Sequence, residues 1–265
     1  MKNAYDYAEV KVAKDGAILR VSLNRPAQLN STTHRMNAEV LDMLRTVDSD
    51  EEIKVVVLTG EGRAFCAGGD LFEHDEFVGD QFEREMRVHT EIIFAMLNNA
   101  KPIVCQLNGA AVGWGATFAL FSDIIIASET ATISDPHVHL GLSTGDGAAI
   151  IFPQLIGYPR ARQMLMTGQP INGRQASEFG LVGEAVPPAE LAARVTEIAR
   201  TIAAMPAQAI RNTKASINIP LKNLVQQMMD TCIALEVVTQ KSDDHKAALK
   251  DFVESRVARK KISAA

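Results

Sequence analysis

The spacing of apolar residues changes several times along this chain, and each change marks an element. Val10 to Val12 and Ile18 to Leu23 are short β-branched and apolar runs on either side of Asp15-Gly16, a turn dipeptide, which predicts a hairpin. Arg25-Pro26 ends the second run, because proline has no N–H to give a ladder. Met36, Val40, Leu41, Leu44 and Val47 then recur at helical spacing, with Thr32 or Thr33 placed to cap them. Val55 to Leu58 is continuously apolar and stops at Thr59-Gly60, the pattern of a strand buried on both faces. Ile103 to Leu107 and Ile124 to Ala127 read the same way. Between the first two lies a helical pattern of Met86, His89, Ile92, Ile93 and Met96. Strand, helix, strand in that order predicts an α/β core with crossover helices.

After about Ala148 the β signal fades. Met164, Ala176, Leu191 to Ala204, Leu224 to Val238 and Ala247 to Val257 all read as helical, and Glu184 to Val186 is the remaining strand-like run. A boundary near Pro188 therefore divides an α/β core, residues 1–188, from a helical region, residues 189–265. The most apolar stretch, Ala110 to Ala127, is interrupted by Gly113, Gly115, Ser122 and Asp123. It falls short of the ~20 apolar residues that cross a bilayer, so it reads as core and no membrane partner is expected.

Composition narrows the field. The 265 residues carry 27 Lys+Arg against 32 Asp+Glu, a formal charge of −5, with 47% apolar residues. Disorder and a disulfide miniprotein are excluded, and a nucleic-acid partner is not expected from an acidic chain. Cys66, Cys105 and Cys232 have no metal-ligand spacing and read as reduced thiols. The polar N-terminus lacks an apolar leader pattern, which fits a cytoplasmic protein.

Two glycine-rich turns follow strand-like runs, Phe65-Cys66-Ala67-Gly68-Gly69-Asp70 and Asn108-Gly109-Ala110-Ala111-Val112-Gly113-Trp114-Gly115. Glycines let backbone N–H groups approach a ligand closely, so two such turns can converge on one oxygen as it gains negative charge. Tight packing of turns against a sheet would need the same residues.

These turns, together with Ile18 to Asn24 and Arg25-Pro26, Val55 to Gly62, the run from Asn108-Gly109 to Asp123-Ile124, and the tail Lys246 to Arg256, resemble the crotonase (enoyl-CoA hydratase/isomerase) superfamily over nearly the whole chain. The resemblance implies an α/β fold, a spiral core of ββα units with a C-terminal helical region used in trimer contacts, giving a homotrimer or a dimer of trimers. It implies an acyl-CoA enzyme of fatty-acid-type chemistry, with the coenzyme A thioester as substrate and no separate cofactor. The thioester oxygen would be held as an enolate between the N–H groups of Ala67 and Trp114. Substrate contacts would come from Arg25, Ala27, Cys66, Gly68, Gly69, Asp70, Leu71 and Gly113. Lys261, in the basic tail with Arg256, Arg259 and Lys260, would approach the CoA phosphates as a flexible point charge. Trp114 departs from the family, where hydratases usually have glycine.

The acid/base positions depart further. Standard hydratases of this superfamily have glutamates where this chain has Thr117 and His137. Thr117 is a poor base, so the two-glutamate mechanism does not carry over. His137, with an ordinary pKa of ~6.5, suits proton transfer near neutrality. Asp146, nine residues on, would orient its far ring nitrogen, while Thr117 would position water or substrate. A His and Asp at this spacing resemble the carbon–carbon bond hydrolases of the same superfamily, which leaves C–C or thioester hydrolysis as an alternative. Asp146 could equally cap a helix.

Other readings are open at this level. His137 and His139 form an HxH without a third ligand, and no metal is expected. Asp70, Glu73, His74 and Asp75 read as a solvated helix start. Gly141-Leu142-Ser143-Thr144-Gly145 matches GxSxG, the nucleophile elbow of serine hydrolases, but lacks the strand such an elbow needs. Loss of both glutamates also admits a non-catalytic protein that binds acyl-CoA or another partner.

Overall fold

In the computed structural model, residues 5–70 and 80–263 are described, with side chains for 5–70 and 82–255. The hairpin is present: β1 (Val10–Asp15) pairs antiparallel with β2 (Ile18–Leu23). Thr33, not Thr32, caps α1 (His34–Ser49), its Oγ1 accepting from Met36 N–H at 2.9 Å. The three buried runs become β3 (Val55–Gly60), β5 (Ile103–Leu107) and β7 (Ile124–Ser128), and α2 (Asp80–Asn98) lies between the first two.

Besides the foreseen run at 184–186, four strands of two or three residues lie below the length at which periodicity shows. These are β4 (Ala64–Cys66), β6 (Ala110–Val112), β8 (Thr132–Ser134) and β9 (Ile171–Asn172). With β10 (Glu184–Val186) they complete two sheets, ordered β1-β2-β3-β5-β7-β10 and β4-β6-β8-β9. Each successive strand pair, β3/β4, β5/β6 and β7/β8, sends its first member to the larger sheet and its second to the smaller. All joins among β3, β5 and β7, and among β4, β6 and β8, are parallel. The ββα repeat therefore brings the chain leaving β4, β6 and β8 to one edge of the small sheet, as parallel sheets do with their ligand-binding ends.

Both faces of the larger sheet are covered. Leu19, Val21, Val56 and Leu58 face the main core with α1 and α2, while Ile18, Val55, Val57, Val104 and Ile126 face Leu191, Val195 and Ala199 of α6 (Leu191–Ala204). α3 (Trp114–Leu120) follows β6, and α4 (Ala148–Thr167) bends at Gly157. After α5 (Gly173–Phe179) and α6, the C-terminal region holds α7 (Ala207–Ile217), α8 (Ile219–Gln240) and α9 (Asp243–Ser263). Among the described residues no helix is long and apolar enough to cross a membrane.

Candidate active site

The segments that leave β4, β6 and β8 open onto one cavity of about 310 Å³. Its rim is Ala67, Gly68, Gly69, Gly113 and Trp114, its polar wall His137, Asp146 and Glu236, and its apolar wall includes Phe82, Met86, Leu140, Leu142 and Phe252. Gly68 makes the convergence of the two turns possible. Its φ is +88°, and a Cβ there would stand 2.7 Å from Val112 O and 3.9 Å from Trp114 N.

The expected donor at Ala67 is displaced. Ala67 lines the cavity, but its N–H donates to Leu29 O at 3.0 Å. Thr32 N–H donates to Gly68 O at 2.8 Å and Asp70 N–H to Thr32 O at 2.9 Å, so the peptides flanking Gly69 both face Thr32. A trans peptide sets its C=O and N–H on opposite sides. The Gly69 N–H therefore points away from Thr32, on the side where Gly69 lines the cavity. In the other turn, Gly113 O accepts from Ala116 and Thr117 N–H along α3, which turns the Trp114 N–H out of the helix start. Among the described residues neither of these two N–H groups has an acceptor.

Other expected contacts are committed elsewhere. Cys66 is fully buried against Gly115, its thiol pushed up to about 12 by burial, and it does not reach the cavity. The Arg25 guanidinium donates to Asp70 Oδ2 at 2.9 Å and Ser31 O at 2.7 Å and lies 3.6 Å from Glu9, so Arg25 and Asp70 neutralise one another and brace the first turn. Ala27 is exposed in a 3-10 turn at Pro26–Gln28. Leu71, Glu73, His74 and Asp75 lie outside the described residues, as do the side chains of Arg256, Arg259, Lys260 and Lys261.

The indole of Trp114 is 4% exposed and turned into the core. It stacks on His89 with ring centres 3.8 Å apart and planes 10° apart, and its Nε1 donates to Asn37 Oδ1 at 3.3 Å. Glu85 completes this group, accepting from Asn37 Nδ2 at 2.5 Å and pairing with His34.

On the polar wall, His137 begins a 3-10 turn (His137–Leu140), and Gly113 abuts its ring, a Cβ there lying 3.6 Å from Cε1. The partner of Nδ1 is Asp135, two residues earlier and 1% exposed, rather than Asp146. Nε2 instead faces two carboxylates, Glu236 Oε1 at 3.5 Å and Asp146 Oδ2 at 3.9 Å. Asp146 Oδ1 accepts from Thr117 Oγ1 at 3.2 Å and from Ala148 N–H at 3.1 Å. Thr117 is fully buried behind Asp146 and does not line the cavity, so it positions a carboxylate rather than substrate.

Three buried carboxylates around one imidazole set the charges. Burial works against a charged His137, but Asp135, Asp146 and Glu236 overcome it and hold its pKa well above the usual 6.5. Burial raises Asp146 to about 6 and Glu236 to about 8, in each case against the pull of His137. Near neutral pH the wall thus holds an imidazolium, an ionised Asp146 and a protonated Glu236. Ligand atoms of Asp135, His137 and Asp146 lie within 4.8 Å of one another, yet Asp135 already occupies Nδ1, which removes that nitrogen from any metal.

Glu236 and Asp135 are the site residues that sequence reasoning passed over. A signal existed for each: Glu236 continues the buried stripe Val225, Met229, Cys232, Ile233 of α8, and Asp135 interrupts a strand-like run. The serine-hydrolase reading loses its geometry. Ser143 follows a 3-10 turn, its N–H donates to Thr239 Oγ1 at 3.0 Å, and among the described residues no histidine or carboxylate bonds its hydroxyl. His139 Nε2 donates to Thr167 O, 2.8 Å away, apart from His137.

Comparison with known proteins gives a consistent result. A family model described as enoyl-CoA hydratase/isomerase matches residues 13–261. The chain is 30% identical over 243 residues to the 1,2-epoxyphenylacetyl-CoA isomerase of Escherichia coli, covering 90% of this chain and 93% of that protein. It is 31% identical over 252 residues to the short-chain-enoyl-CoA hydratase of Clostridium acetobutylicum, covering 93% and 95%. A solved enoyl-CoA hydratase/isomerase from Mycobacterium paratuberculosis superposes with a TM-score of 0.87 at 31% identity, covering 93% of this chain and all (100%) of that one.

Proposed function

The chain belongs to the enoyl-CoA hydratase/isomerase family, and from that premise we propose that it moves protons on the acyl chain of a coenzyme A thioester by way of an enolate. The thioester oxygen lies between the N–H groups of Gly69 and Trp114. As the α-proton leaves, that oxygen becomes anionic, and each such donor contributes roughly 3 to 4 kcal/mol to the transition state in comparable sites. Asp146 takes the α-proton: it is the ionised carboxylate on the cavity wall, and its Oδ2 has no hydrogen-bond partner among the described residues. His137, fixed by Asp135, compensates the charge that moves from Asp146 to the oxygen and can pass a proton along Nε2.

The observation that carries this reading is the single imidazole set among three buried carboxylates at the mouth of both glycine turns. It also ranks the alternatives. Hydrolysis of a thioester or a C–C bond needs a neutral imidazole to activate water, whereas His137 is held protonated. The family and the exposed apolar side chains Ile219, Leu235 and Val238 of α8 support assembly with copies of the chain, as a homotrimer or dimer of trimers.

The test measures exchange of the α-proton of saturated acyl-CoA esters in D₂O and turnover of enoyl-CoA esters. D146N and H137A are expected to lose both by about 10³-fold or more, within the range for acid/base groups. Tight acyl-CoA binding by the wild type with neither exchange nor turnover would instead favour a binding protein.

A further inference from the structure

The reaction described above uses Asp146 and His137 and leaves one buried acid of the cavity without a task. Glu236 is 1% exposed and comes from α8, ninety residues or more beyond Asp146, His137 and the two turns. Its neighbours on that stripe, Val225, Met229, Cys232 and Ile233, are packed into the core, where an acid gains nothing from burial. The chain is shaped to admit it. A Cβ at Gly145 would lie 2.7 Å from Cys232 O and 2.7 Å from Glu236 Cβ, so any side chain there would push α8 away from the cavity.

Glu236 Oε1 stands 3.5 Å from His137 Nε2, on the cavity wall it shares with Asp146. Its Oε2 is buried beside the Gly145 backbone, and among the described residues no side chain bonds it. The titratable groups that face it are His137, Asp135 and Asp146, with Cys232 one turn back on its own helix. Near neutral pH it holds a proton that Asp146 has already given up.

We propose that Glu236 is a second catalytic acid of this site, delivering a proton to the γ-carbon of a 3-enoyl-CoA after Asp146 has removed one from the α-carbon. The inference rests on the enolate reading above and names its reaction as a double-bond shift. The balance is internal. The α C–H pair becomes the enolate double bond as Asp146 gains the proton. The thioester carbonyl then re-forms, the C2–C3 double bond is made as the C3–C4 double bond breaks, and the γ C–H bond forms with the Glu236 proton. The Nε2–H of the His137 imidazolium passes to the Glu236 carboxylate and the proton on Asp146 then replaces it at Nε2, which restores the starting state without a co-reactant.

The test compares the wild type with E236Q and E236D in two assays, α-proton exchange on a saturated acyl-CoA and conversion of a 3-enoyl-CoA to the 2-enoyl isomer. E236Q is expected to lose the double-bond shift by about 10²-fold, at the lower end for a general acid, and to lose exchange by clearly less than that. The wild-type shift should fall above about pH 8, where Glu236 ionises. E236D should retain an alkaline limb, and the residual activity of E236Q should not show one. An E236Q enzyme that shifts the double bond at the wild-type rate, or that loses exchange and shift together, overturns the assignment. Absence of exchange in the wild type would bring down the enolate reading itself, a separate failure. Thermal unfolding of each variant distinguishes a lost fold from a lost proton.

Discussion

Two buried polar clusters flank the same cavity, and they are built on opposite charge arithmetic. The cluster around Trp114 sets one carboxylate, Glu85, among two histidines, an amide and an indole, and its members bond or stack on one another. The cluster around His137 sets three carboxylates against one imidazole, and leaves Asp135 Oδ2 and Asp146 Oδ2 without hydrogen-bond partners among the described residues. A lone carboxylate held between an amide and imidazoles fixes geometry, whereas three carboxylates around one imidazole favour a protonated acid and a charged ring, which chemistry can use. The contrast teaches that polarity and burial alone do not set which groups hold protons; the ratio of acids to bases does so as well.

The sharpest way to break this comparison is at Asp135. D135N removes the charge behind Nδ1 and should lower turnover roughly 10³-fold, less than the ~10⁴ that the corresponding change costs in serine triads, because two carboxylates still face Nε2. Steady-state kinetics with intact acyl-CoA binding would check it. A smaller effect on activity and a larger one on stability are expected from E85A, which removes the buried carboxylate that Asn37 Nδ2 donates to. Losing the buried acceptor of Asn37 costs about 1 to 3 kcal/mol, or roughly 2 to 12 °C in Tm for a chain this size, with kcat within about fivefold. If E85A abolished catalysis at a temperature where it remains folded, the division between the two clusters would fail.

The smallest effect is the pH dependence of stability. Burial raises Glu236 from 4.5 to about 8 and Asp146 from 3.8 to about 6, and the carboxylates raise His137 above 6.5. Each folded-state pKa is raised, so the folded chain holds protons that the unfolded chain has released. The stabilisation from each group is full below its unfolded value and is lost as pH climbs through its folded value. Tm should therefore fall by a few degrees from pH 5 to pH 9, and E236Q should flatten the slope. A Tm that rises over this interval would contradict the charges assigned to the His137 cluster.

Much of the framework was legible in the residues. Runs such as Val55 to Leu58 and Ile103 to Leu107 are apolar on both faces, and only a strand between two packed layers accepts that pattern. The helices α1, α6 and α8 show through their spacing, and both glycine turns stand out because few other residues close so tightly. β4, β6 and β8 did not, since three residues cannot display a period. Within the site, residue type pointed to His137 and Asp146. It could not tell Ala67 from Gly69, because the direction of an N–H depends on which neighbouring strand its peptide already serves, here Leu29 and Thr32. Arg25 and Asp70 read as ligand contacts because their pairing spans 45 residues of sequence.

The sequence alone determined the α/β architecture, the family and the presence of one histidine in place of a glutamate, since these follow from local pattern and residue type. The tertiary structure decided which amides are unspent, that the Trp114 indole turns inward, and that α8 brings Glu236 beside His137. Those outcomes depend on groups far apart in the chain meeting where water is excluded, and proton affinity is set by that surrounding rather than by the residue's identity.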